Sequence, residues 1–147
     1  MLAIDNHFDS FYFDSCDLDD PRIDGAKMAV PAQNLGITAG HPLYRSQPSG
    51  SPLYLSKCSL VFTGVRRSCR TIGLYANAEG KAFAGHQTIT DGPFEPSAGP
   101  QRSYVIGGVT RSPFGFAEWE IEAASFRLEI PEGSTLITLD NQVVQSF

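Results

Sequence analysis

Three histidines, a short arginine cluster and a row of glutamates are the side chains best placed to do chemistry in this chain, and their spacing decides which chemistry is open to each. His7, His41 and His86 each stand in a turn-like setting: Asn6-His7-Phe8-Asp9, Gly40-His41-Pro42 and Gly85-His86-Gln87. Imidazoles carried to one end of a β domain on separate loops can hold a metal or a small molecule, with Asp9 or Asp14 as an oxygen ligand. Nothing in the spacing demands it. The three are therefore expected as exposed or singly hydrogen-bonded loop histidines, kept as binding candidates, and no metal or cofactor is assigned to them.

Arg66, Arg67 and Arg70 form the densest basic cluster. In an extended chain Arg66 and Arg70 share a face and Arg67 points the other way, so at most two guanidinium groups cooperate on an anion. Arg66 and Arg70 join the binding candidates, against the competing expectation that acids on neighbouring strands neutralise them. Glu118, Glu120 and Glu122 repeat every second residue, which in a strand sets them about 7 Å apart on one face. Glycosidases use carboxylate pairs at such separations. Three acids on a regular strand are nevertheless expected as a solvent face.

Other catalytic patterns are missing. The chain holds no G-x-S-x-G elbow, no H-E-x-x-H, no G-x-x-x-x-G-K-[ST] phosphate loop and no G-x-G-x-x-G. His7, Asp9 and Ser10 supply the letters of a triad, but near neighbours in an extended chain alternate between faces, the wrong geometry for a relay. The acidic run Asp14, Asp17, Asp19, Asp20 and Asp24 lacks the calcium-loop pattern and is interrupted by Pro21, so it reads as a solvated, turn-forming stretch.

The elements that must position these residues follow a period of two. Residues 8–18 read as a strand with Tyr12, Asp14, Cys16 and Leu18 on one face, paired through turns at Asp19-Asp20-Pro21 and Asp24-Gly25 with a strand over 26–30 that ends at Pro31. Residues 31–52 carry four prolines and three glycines and read as a winding loop with room for one short strand. Strands are expected over 53–62, 65–75 and 103–109, the last with a bulge or a close backbone approach at Gly107-Gly108. Residues 76–101 are poor in large apolar side chains and form a long excursion with at most one embedded strand, near 87–90, a candidate binding lip. Trp119, Ile121 and Ala123 alternate with the three glutamates, whereas Phe126, Leu128 and Ile130 are apolar at even positions. That change of parity calls for a β-bulge near 123–125. Residues 136–139 and 143–144 close the chain as a hairpin about Asp140-Asn141.

A chain of 147 residues with 41% hydrophobic content has the length and apolar bulk for a single domain over residues 1–147 with an ordinary core. Its fold class is mainly β, an antiparallel β-sandwich or open β-barrel with long Pro/Gly-rich loops and little helix.

Charge is blocked along the chain. Residues 1–24 carry seven Asp against one Arg, residues 25–111 nine Lys or Arg against three acids, and residues 112–147 six acids against one Arg, for a net −5. Acidic and basic strands lying side by side would cancel one another, so no nucleic-acid binding is expected. Cys16, Cys58 and Cys69 are odd in number and lack C-x-x-C spacing, which suits free thiols in a reducing compartment. No secretory signal opens the chain and no run of 18 apolar residues occurs, so a cytoplasmic protein without membrane contact is expected. With catalytic signatures absent and aromatic, turn-rich surface plentiful, the functional expectation is a non-catalytic binding or protein-interaction module that takes a protein partner or self-associates as a homodimer. The alternative is a small-molecule or metal-assisted hydrolytic domain with a site built from loops.

Overall fold

The computed structural model describes residues 1–77, 79 and 82–147; residues 78, 80 and 81, part of the excursion expected over 76–101, lie outside the described residues. Among the described residues the strands are β1 (Leu2–Asp5), β2 (Phe11–Tyr12), β3 (Asp17–Leu18), β4 (Arg22–Asp24), β5 (Lys27–Ile37), β6 (Leu53–Thr63), β7 (Arg67–Tyr75), β8 (Phe83–Asp91), β9 (Arg102–Arg111), β10 (Phe114–Ala123), β11 (Ser125–Ile130), β12 (Thr135–Ile137) and β13 (Val143–Ser146). The helical content is two short 3-10 turns, Phe8–Ser10 and Pro48–Gly50. None of the described helices is long and apolar enough to cross a membrane.

One wall of the molecule runs β1-β11-β6-β5, with β12 and β13 extending it along β6 and with β2, β3 and β4 lying along the other side of β5. The other wall runs β9-β10-β7-β8. Two strand pairs turn the corner between the walls together: β6 passes into β7 through residues 64–66, and β10 into β11 through Ala124. Hydrogen bonds from Ala124 N to Thr63 O and from Arg66 N to Glu122 O hold the two bends side by side. Gly64 is required there, because a Cβ on it would stand 2.8 Å from the Cβ of Ala124 and its φ is +68°. At the opposite seam β3 pairs antiparallel with β5 and parallel with β9, at Asp17 and Val109. The sheet is thereby rolled into a mainly β architecture between a sandwich and an open barrel.

Both walls contribute to one core. Val30, Leu35, Leu55, Leu60 and Phe62 from the first wall share a cluster with Ile106, Trp119 and Ile121 from the second and Leu128 from β11. The alternation of β10 puts Trp119, Ile121 and Ala123 inside, and the even residues Phe126, Leu128 and Ile130 of β11 are inside after the corner. The parity change at 123–125 is thus the corner itself, where two residues of one strand stand against three of the other.

Three expectations need correction. Residues 8–18 are not one strand: Asn6 and His7 take left-handed backbone angles, φ 66° and 61°, and start a 3-10 turn that buries Phe8 against Tyr104 and Phe126. The strand expected to stop at Pro31 runs on to Ile37. Pro31 gives its carbonyl to Asp19 N, so the position of its missing N–H faces the break between β3 and β4, where no ladder bond is lost. The strand expected near 87–90 extends over the nine residues of β8. Of the two readings offered for Gly107-Gly108, close approach is the observed one. A Cβ on Gly108 would lie 2.6 Å from the carbonyl of Cys16, and the β9–β10 register runs through both glycines without a bulge.

Candidate binding surface

The outer face of the second wall is built from alternate residues of four strands. β9 contributes Val105, Gly107 and Val109; β10 contributes Phe114, Phe116 and Glu118; β7 contributes Thr71, Gly73 and Tyr75; and β8 contributes Phe83 and His86. Two of these positions are glycines and leave hollows. The ring of Phe83 leans over Gly73, its nearest atom 3.0 Å from where a Cβ would be, and the ring of Phe116 leans over Gly107 at 3.5 Å. Covering a sheet glycine with an aromatic ring restores packing that the missing side chain forfeits. It also fixes the rings beside a groove of about 610 Å³ whose walls include Tyr75, Phe83, His86, Val105, Phe116 and Glu118, with Phe13 reaching it from the N-terminal segment.

The surface is more apolar than a solvent face needs. Phe83 is 66% exposed and Val105 48% exposed. Tyr75 ties Phe83 and Phe114 into one aromatic group, with ring centroids 5.4 and 5.0 Å away. Glu118 is exposed among them, and the described residues of the groove lining include no Lys or Arg. A cation laid against ring faces beside a carboxylate gains from both, whereas an anion gains from neither.

The inner face of the same strands carries a buried polar network. Trp119 is fully buried and donates from Nε1 to Ser68 Oγ at 2.7 Å, and Ser68 Oγ donates to Asp91 Oδ2 at 2.8 Å. Arg70 Nη2 donates to Asp91 Oδ1 at 2.6 Å, and its guanidinium carbon lies 4.6 Å from the Trp119 ring centroid. Arg70 is therefore a structural side chain, packed inward and 7% exposed. Arg66 is also engaged within the chain, although by carbonyls where acids were the expectation: its Nε donates to Ser97 O and its Nη2 to Gly99 O, which pins the loop of residues 92–101.

The histidines separate into a pair and a single residue. His7 and His41 meet edge to face with centroids 5.7 Å apart, and His41 lies 5.3 Å from the ring of Phe11. His41 is buried, and its Nδ1 accepts a hydrogen bond from Leu43 N. Burial, helped by the neighbouring His7, lowers its pKa from 6.5 to about 4, so it is neutral. His86 lines the groove, whose walls include neither of the other two. Among the described residues no three His, Cys, Asp or Glu side chains gather in a way that would hold a metal ion.

The groove was missed as a unit, but its signal was present. The period-two register that turns Glu118, Glu120 and Glu122 outward also turns Phe116 and Phe114 outward when run back along the same strand. Compared with family models, with curated proteins and with solved structures, the chain matches none.

Proposed function

We propose that this chain is a non-catalytic cytoplasmic module that binds another protein through the groove on the outer face of β9, β10, β7 and β8. The observation that carries the reading is the aromatic group on the antiparallel sheet in which half-buried Tyr75 joins the exposed Phe83 and Phe114. Exposed, contiguous apolar surface with a polar rim is characteristic of interaction sites. Glu118 inside an otherwise uncharged lining selects a partner segment that combines apolar side chains with a Lys or Arg. Among the described residues of the lining a carboxylate stands without a basic side chain, which disfavours phosphate-bearing partners such as nucleic acid. The three free cysteines are consistent with a reducing compartment.

The alternative, a loop-built small-molecule or hydrolytic site, has one observation in its favour, the His7–His41 contact. That site would have to work with two imidazoles, one of them buried and neutral.

Calorimetric titration with two capped peptides tests the reading, one alternating leucine with arginine and the other leucine with glutamate. The arginine peptide is expected to bind and the glutamate peptide not to, and Glu118→Gln should weaken the former about 3- to 10-fold. Equal binding of both peptides, or binding of the arginine peptide that is indifferent to Glu118→Gln, would refute the proposal.

A further inference from the structure

The two ends of the strand order are treated differently. One end, β1, is four residues long and carries Asp5, whose carboxylate accepts from Arg127 Nε at 2.7 Å. Short, charged edges of this kind resist pairing with other chains. The other end, β8, is nine residues long and pairs on one side with β7 alone. It contains no proline and no Lys, Arg or Glu, and its one charged residue, Asp91, is committed to Arg70 and Ser68. Its register irregularity lies at the Phe83 end, where Gly85 has a φ of +131°, and residues 86–91 follow as a regular stretch. Residues 85–88 are exposed, and among the described residues no other strand pairs with this edge.

We infer that the chain pairs with a second copy of itself through the free edge of β8, antiparallel about a twofold axis at Thr88. Thr88 is the central one of the three outward positions His86, Thr88 and Thr90. Antiparallel self-pairing there sets Thr88 against Thr88, His86 against Thr90, Gln87 against Ile89 and Gly85 against Asp91, so outer residues meet outer residues and no like charges are opposed. Threonine pairs across strands are favourable. A second copy is the occupant that this edge specifies, because the sequence of the stretch is complementary to itself in this register. The seam is about 23 Å long at strand rise, which places it among the small interfaces, below about 1,200 Å², that hold weak complexes. A weak dimer, with a dissociation constant on the order of tens to hundreds of micromolar, is expected of so small a seam. Self-pairing does not depend on what fills the groove, but it joins the two second walls into one continuous sheet and sets their grooves side by side for a bivalent partner.

Sedimentation equilibrium of the full chain between roughly 5 and 500 µM tests the pairing across the range expected of so small an interface. The wild type is expected to shift from monomer to dimer. Thr88→Lys and Thr88→Glu each place like charges on the axis of an exposed position and should each raise the dissociation constant roughly 5- to 10-fold. Mixed in equal amounts they should recover a heterodimer, which a folding defect would not do. A wild type that stays monomeric throughout, or a dimer whose constant moves less than about twofold in both variants, would overturn the inference, and in that case β8 is an edge for a different chain or for none.

Discussion

Replacing Asp91 by leucine isolates the polar network beneath the second wall. The side chains of Arg70 and Asp91 are 9% and 5% exposed, so the pair is buried and solvent screens it little. Without Asp91 the guanidinium keeps one acid, Asp20, at 3.9 Å on an exposed loop, a contact of the kind that contributes less than about 1 kcal/mol. Arg70 Nε already has no partner, and Ser68 Oγ, which receives the indole N–H of Trp119, would lose the acceptor for its own proton. A buried charge stripped of its partner costs about 3–5 kcal/mol. With a urea m-value of about 2 kcal/mol/M, the unfolding midpoint should fall by about 1.5–2.5 M. Trp119 is the only tryptophan and sits on the network, so its fluorescence reports the transition directly. The double variant Arg70→Met with Asp91→Leu removes the orphaned charge and should recover at least about 2 kcal/mol of the loss. A single-variant cost under about 1 kcal/mol, or losses in the two single variants that merely add in the double, would refute the claim that the pair acts as a buried unit.

Stability should also fall as pH drops from 6.5 toward 4. The folded state holds His41 neutral with a pKa of about 4, while the unfolded chain takes up the proton near 6.5, so protonation favours unfolding inside that window, by up to about 1.4 kcal/mol per pH unit. His41→Leu should flatten the upper part of this slope in urea unfolding, and a wild type equally stable at pH 7 and pH 5 would contradict it. Burial pushes the Cys16 thiol up to about 12 and raises that of Cys58 as well, so the half-buried Cys69 should be alkylated first, as read by mass spectrometry at pH 8. Intact mass without reductant should show no loss of two protons. Gly108→Ala should destabilise the chain by about 1–3 kcal/mol, because its Cβ meets the carbonyl of Cys16 at 2.6 Å and the β3–β9 seam must open; a neutral effect in thermal melts would show that the seam is loose.

Where one face of a strand is apolar and the other charged, the fold was legible from residues alone, as in β10, whose alternation correctly turns Trp119 inward and the glutamates outward. The parity change after Ala123 was equally readable, since an extended chain cannot change faces without an irregularity. What that irregularity does, turning two strand pairs from one wall to the other, depends on Thr63 and Arg66, about sixty residues away in sequence, which no local pattern reports. Residues 8–18 misled because their alternation lacks an apolar face, and the decisive fact, a left-handed turn at Asn6-His7, is a backbone choice that tertiary packing of Phe8 stabilises. Of the candidate residues, Arg70 and Arg66 stood out by charge, yet the residues facing them, Asp91 and the carbonyls of Ser97 and Gly99, come from a stretch that reads as a long excursion around one short strand that stops before Asp91. The groove escaped notice because its aromatic residues are scattered over three strands and converge through pairing, with Gly73 and Gly107 providing the space.

If the outer face of β9, β10, β7 and β8 is the binding surface, amide chemical shifts mapped during titration with the leucine–arginine peptide show it most directly. The amides of Thr71, Gly73, Gly107, Phe116 and Glu118 are predicted to shift together and to saturate with one constant. Shifts confined to the outer face of the first wall around Val61, Thr63 and Arg127, or no saturating shift at millimolar peptide, would contradict it.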